Sequence, residues 1–364
     1  MQKILYKTLA LTALLSLAAT AIAGCDTAPA PTATPPAGQS TPAAAPTRAG
    51  TQKVTIALGY IPDVQFAPFY VALNKGYYAA EGLDVTLRNG ISPDLIKELG
   101  EGSGDVNFAV VSGDELIPAR LQGIPVKYVM TWYRQYPVAA VSIEGKGPTL
   151  KSPADLKGKK VGVPGPYGST YVGLQALLDS AGLTLADIKL ESIGFTQVAS
   201  LAAGQVDVAM AYAANEPTQL RSQGLSVSTL NVADYFNLAS NGLATNDKTL
   251  NENPELVAKV VRATLKGIND TITNPDAAFE SSLKQIPEAG GDNKALQLQV
   301  LKETVKLMQP NPNDPTAKQP PLPGFVDESV WETTQDFLLK AKIISKKGDV
   351  KEMFTNQFVT PANQ

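Results

Sequence analysis

Residues 54–58 alternate apolar and polar positions and are rich in β-branched side chains, so they predict a strand. Residues 66–74 then predict a helix stopped at Gly76. The alternation repeats: a strand over 83–87, a short helix over 93–100, a buried strand over 106–111, a helix over 115–122 and a strand over 126–131. Strands and helices taking turns at this spacing argue for a parallel sheet covered on both faces.

The pattern then restarts. Residues 137–143 are apolar and extended. Ser152 and Pro153 suit the N-cap and first position of a short helix. A strand over 160–163, a loop over 165–168 and a helix over 169–180 closed by Gly182 follow. A short helix over 198–203 and a strand over 206–211 complete the unit. After Leu238 a third region holds a long helix, 254–273, capped by Asn253, with helical stretches to about Phe358. Two α/β units joined by extended crossings near 137–143 and 236–241 predict two lobes with a cleft between them.

The start of the chain has no such period. Lys3 and Lys7 precede an apolar stretch from Leu9 to Ile22, too short to span a bilayer comfortably, and small residues lead to Cys25, the one cysteine. From Asp26 to about Gln52 the chain is mostly Ala, Thr and Pro, a composition that cannot bury enough apolar surface to fold. Its prolines favour an extended chain of about 3.1 Å per residue. Signal ending on cysteine resembles the lipobox of bacterial lipoproteins. That resemblance implies a signal over 1–24, lipid on Cys25, a tether over 25–52 and a cell-membrane location facing outward or the periplasm. A plain secretory signal followed by a stray thiol is the alternative.

Composition narrows the chemistry. The 364 residues carry 31 Lys and Arg against 34 Asp and Glu, a net charge of −3, which gives no case for a nucleic-acid partner. No run beyond the signal reaches transmembrane length. With Cys25 consumed no thiol remains for a disulfide, and there is no histidine. That excludes a Ser-His-Asp arrangement, a Cys-His pair and the usual zinc sites. No metal or cofactor is expected, and binding a solute is favoured over transforming it.

The order of elements resembles the periplasmic-type solute-binding proteins of ABC importers, in the branch that includes sulfonate-, nitrate- and thiamine-pyrimidine-binding proteins. The resemblance rests on residues 59–72, 75–83, 123–125, 156–163 and 204–209 and covers about 53–350. It implies a type II, two-lobe α/β fold, each lobe a mainly parallel sheet flanked by helices. The lobes would be 53–140 plus 236–364, and 141–235. It also implies permease and ATPase partners and membrane contact through the lipid.

In open α/β sheets ligands bind beyond the carboxyl ends of the strands. The loops there contain Tyr60, Asp63, Gln65 and Phe66; Ser112 and Asp114; Trp132, Tyr133 and Tyr136; Tyr167, Ser169, Thr170 and Tyr171; and Tyr212, Asn215 and Glu216. Clustered aromatics suit stacking on a flat solute, although each alone could simply pack the core. Arg134 is the only base in these loops, against Asp63, Asp114 and Glu216. An anion binder wants the reverse balance, whereas a heterocycle edge with N–H groups answers buried carboxylates. The turn over 162–168 lacks the spacing and the Lys-Ser/Thr end of a phosphate loop, and its prolines remove donors.

Asn215 and Glu216 match a strand-end pair of the thiamine-pyrimidine branch, although Glu216 could instead cap locally. The first loop lacks the tryptophan and histidine of that pattern, and the chain looks closer to riboflavin-binding lipoproteins of the same branch. Riboflavin is therefore the expected solute. A thiamine pyrimidine precursor or an organosulfonate stays open. A pyrimidine-synthase-like enzyme is disfavoured by the missing histidine, and a surface sensor or adhesion module remains a further alternative.

Overall fold

The computed structural model describes residues 51–102, 104–311 and 322–361. Cys25, the signal and most of the tether lie outside them. Among the described residues, ten strands form two five-stranded sheets. The strands are β1 (Gln52–Leu58), β2 (Leu83–Asn89), β3 (Phe108–Ser112), β4 (Val126–Thr131), β5 (Val138–Ile143), β6 (Lys160–Val163), β7 (Lys189–Ser192), β8 (Val208–Tyr212), β9 (Val227–Asn231) and β10 (Asn241–Asn246). The first sheet has the order β2-β1-β3-β10-β4 and the second β7-β6-β8-β5-β9. The chain thus passes from one sheet to the other between β4 and β5 and returns between β9 and β10.

The expected parallel pairs are present: β1 lies between β2 and β3 with Ile56 opposite Leu87 and Phe108. Ile56, Ala57 and Leu58 are all buried, as a strand covered on both faces requires. Two antiparallel insertions break the simple pattern. β10 returns from the second sheet and threads between β3 and β4, and β5 threads between β8 and β9. Neither is a βαβ crossover strand, because each directly follows a passage between sheets. The predicted strand over 106–111 starts at Phe108 and that over 206–211 at Val208. β7, β9, β10 and the helix Glu216–Ser222 were not expected.

Local signals were obeyed elsewhere. Ser152 and Asp155 form a reciprocal capping box on the short helix Pro153–Leu156. Asn253 caps Pro254–Thr273, accepting from Leu256 N–H. That long helix packs on Ala67–Asn74 so closely that a Cβ on Gly267 would stand 2.1 Å from Pro68 O, which accounts for a glycine in mid-helix. Edge strand β4 is covered by the C-terminal segment: Tyr128 N–H donates to Met353 O and Thr131 N–H to Gly324 O. One buried cluster joins both sheets, with Leu116 and Trp331 packed among Val138, Val163 and Leu174.

Candidate functional site

The carboxyl ends of β1, β3, β6 and β8 converge on one cavity, together with the starting end of the antiparallel β10. Close packing opens it: a Cβ on Gly59, just after β1, would come within 2.3 Å of Val110 O. The inner cavity is narrow, about 80 Å3. It shares Tyr60, Phe195, Gln197, Asn215 and Glu216 with a wider mouth of about 710 Å3, which Asp63 and Glu288 also line.

Nine of the sixteen expected ligand residues line the inner cavity: Tyr60, Gln65, Phe66, Tyr167, Ser169, Thr170, Tyr212, Asn215 and Glu216. Asp63 lines the mouth, where it also caps the short helix Val64–Phe66 by accepting from Gln65 N–H at 2.9 Å. Burial pushes the Asp63 carboxyl up to about 6.

The remaining six lie behind or beside the lining. Trp132 is buried, stacked on Tyr133 at 4.0 Å and on Phe66 at 5.6 Å between ring centres. Its strand-end position is as expected, but its ring serves the core under the first loop. Tyr133 joins that stack and donates to Gln65 Oε1 at 3.3 Å, bracing a lining residue from behind. Tyr171 is half-buried away from the lining, because it falls on the far side of the first turn of Gly168–Ser180.

Ser112, Asp114 and Tyr136 make a buried polar joint instead. Ser112 Oγ donates to Ala239 O at 3.4 Å. Ser169 Oγ donates to Asp114 Oδ1 at 3.1 Å, tying a helix of the first sheet to one of the second. Tyr136 Oη lies 2.6 Å from Asp114 Oδ2 and 2.8 Å from Ser169 O. One hydroxyl hydrogen faces two acceptors, so a proton on Asp114 completes the set. Burial raises the Asp114 pKa in the same direction.

Sequence reasoning missed Ser92, Glu115, Phe195, Gln197 and Asn241, all in the lining. Phe195 meets Tyr60 edge-on at 5.4 Å, and 46% of it is exposed, as is Tyr167. Ser92 Oγ donates to Glu115 Oε2 at 2.8 Å. Burial, and then the neighbouring Asp114 carboxyl competing for the same charge, push Glu115 up to about 8. Asn241 belongs to the unpredicted β10, which alone hid it; its side chain bonds Tyr212, and its buried Oδ1 has no hydrogen-bond partner among the described residues.

Glu216, at the start of Glu216–Ser222, is buried and accepts from Tyr212 N–H at 3.0 Å. Burial, with Asp63 adding to it, pushes its carboxyl up to about 7. Glu216 thus bonds locally, to the end of β8, and its side chain also lines the cavity. Asn215 Oδ1 accepts from Gln219 Nε2 at 2.7 Å. The site therefore offers aromatic faces, an unpartnered amide oxygen and carboxyls able to hold protons near neutrality. Among the described residues no group of His, Cys, Asp and Glu is arranged to hold a metal, and no helix is long and apolar enough to cross a membrane.

Residues 63–278 match the family described as NMT1/THI5 like. The chain is 44% identical over 332 residues to the riboflavin-binding protein RibY of Chloroflexus aurantiacus, covering 91% of this chain and 93% of that protein. It is 29% identical to a formylaminopyrimidine-binding protein of Halalkalibacterium halodurans, over 79% of this chain and 84% of the relative. The periplasmic aliphatic sulphonate binding protein SsuA from Escherichia coli superposes with a TM-score of 0.65 at 16% identity, over 84% and 93% of the two chains. That likeness establishes the periplasmic-binding-protein fold.

Proposed function

The chain belongs to the NMT1/THI5-like family, and from that premise we propose that it captures riboflavin outside the cytoplasmic membrane for an ABC importer. It acts as a binding protein, not an enzyme: its strong likeness is to a binding protein, and it has no histidine for acid–base work. The two lobes are 53–140 with 236–364, and 141–235; lipid on Cys25 and the 25–52 tether hold them at the membrane. Permease and ATPase subunits receive the solute.

The observation that carries the riboflavin reading is the pairing of Asn241 Oδ1 and Glu216 with aromatic faces in one cavity. Riboflavin has a flat ring system, a uracil-like edge with an N–H and carbonyls, and a neutral hydroxylated chain. The ring packs between Tyr60 and Phe66 on one side and Tyr167 and Tyr212 on the other. Asn241 Oδ1 accepts the ring N–H, and protonated Glu216 donates to a carbonyl. The ribityl chain extends into the mouth toward Asp63.

Titration with riboflavin tests this, since stacking on tyrosine quenches flavin fluorescence. Losing a charge-assisted or buried partner costs about 1.5–3 kcal/mol, so Glu216→Ala weakens binding roughly ten- to a hundredfold. Unchanged flavin fluorescence at micromolar protein refutes the assignment. The narrow inner cavity favours a second reading, a single-ring pyrimidine, because about 80 Å3 is small against the roughly 300–1,000 Å3 of typical ligand clefts. In that case an aminopyrimidine, and not riboflavin, raises the melting temperature.

A further inference from the structure

Four carboxyl side chains surround the path from solvent to the inner cavity. Glu115 and Glu216 line the inner part, and Asp63 and Glu288 line the mouth together with Glu216. Among the described residues, neither lining contains a lysine or an arginine. Arg134, the single base of the strand-end loops, lies in a separate hollow, where its backbone N–H donates to Leu307 O. Ser169 Oγ and the Tyr136 hydroxyl are engaged with Asp114. The Ser92 hydroxyl is engaged with Glu115. Asn241 Oδ1, which has no hydrogen-bond partner among the described residues, is an acceptor.

An anionic group entering this path loses its hydration and meets no lysine or arginine to pair with. Like charges at the mouth add repulsion and act as a rejecting element. The same acceptors and protonated carboxyls satisfy a solute rich in N–H, O–H and carbonyl groups. We propose that the site is built to reject anions: it admits uncharged solutes and excludes their phosphate esters and sulfonated analogues, with Asp63 and Glu288 filtering at the mouth. This rests on the solute-binding reading and adds to it a discrimination that the shared fold with a sulfonate-binding protein does not supply.

The test compares riboflavin with its 5′-phosphate by fluorescence quenching, and an aminopyrimidine with its phosphate ester and with an alkanesulfonate by thermal shift. In the wild-type protein the parent compound binds at least about a hundredfold more tightly than its ester. Asp63→Asn/Glu288→Lys keeps a capping residue at 63 and changes an exposed position at 288. It narrows the parent-to-ester ratio by about tenfold or more, and raised salt narrows the wild-type ratio in the same sense. An ester or a sulfonate that binds within about threefold of the parent overturns the proposal. So does a ratio that the double variant leaves unchanged. If riboflavin fails while the aminopyrimidine binds and its ester does not, the flavin assignment falls and anion rejection stands. If no solute in the panel binds, both fall.

Discussion

Single side chains at this site do two jobs at once, and their environments decide which one dominates. Tyr136 and Asp114 were expected to meet solute, yet they form the buried joint with Ser169. Tyr136→Phe removes the hydroxyl that donates to Ser169 O and one partner of Asp114. It should destabilise the protein by about 1–3 kcal/mol in a denaturant titration. Asp114→Asn should cost less than Asp114→Ala, because the amide supplies the hydrogen that the protonated carboxyl supplies now. Equal losses for the two would sink the protonated-Asp114 account. Asn241 makes the complementary case: its type carried no signal, and only its place at the head of β10 aims it at the cavity.

At the scale of elements, caps and close approaches could be read residue by residue. Asn253→Ala deletes the N-cap acceptor of the helix Pro254–Thr273 and should cost about 0.5–2 kcal/mol. Gly267→Ala is the sharper case. Alanine is the better helix former by about 1 kcal/mol, but its Cβ would collide with Pro68 O in the neighbouring helix. The variant should therefore be less stable than wild type despite the gain in propensity. A rise in melting temperature would show that the two helices separate freely. The strand β10 escaped notice because an antiparallel insertion carries no alternating βα signature around it.

For the whole molecule, buried carboxyls with raised pKa values, Asp114 among them, set the pH response. Asp63, Glu115 and Glu216 titrate near 6, 8 and 7 in the folded chain, against about 4 in the unfolded one. A raised folded-state pKa means the folded state binds more protons across that interval. The stability these groups contribute is complete below the unfolded value and is lost as pH rises through about 6 to 8. Calorimetry should find the melting temperature falling as pH is raised across that window, less so in Glu216→Gln. A flat profile would mean that water reaches these groups. The narrow inner cavity has a second consequence: a three-ring solute needs the two sheets to part and close again. Ligand-free protein should scatter X-rays with a larger radius of gyration than the saturated complex, and equal radii would argue for a preformed site.

Local physics decided the elements, so the sequence alone determined them where they are local. Hydrophobic period, caps and glycines specified most strands and helices, the two α/β units and the strand-end loops that hold Tyr60, Tyr167, Ser169, Tyr212 and Glu216. The absence of histidine and the acidity of those loops bounded the chemistry before any coordinates. Tertiary structure decided what depends on partners distant in the chain. It sent Trp132 and Tyr133 into the core, because stacking on Phe66 buries their rings. It turned Asp114, Tyr136 and Ser169 into one joint, and it brought Ser92, Glu115, Phe195 and Asn241 to the cavity wall. Those outcomes follow from two passages of the chain between sheets, and no periodicity along the sequence records which strand a returning segment will pair with.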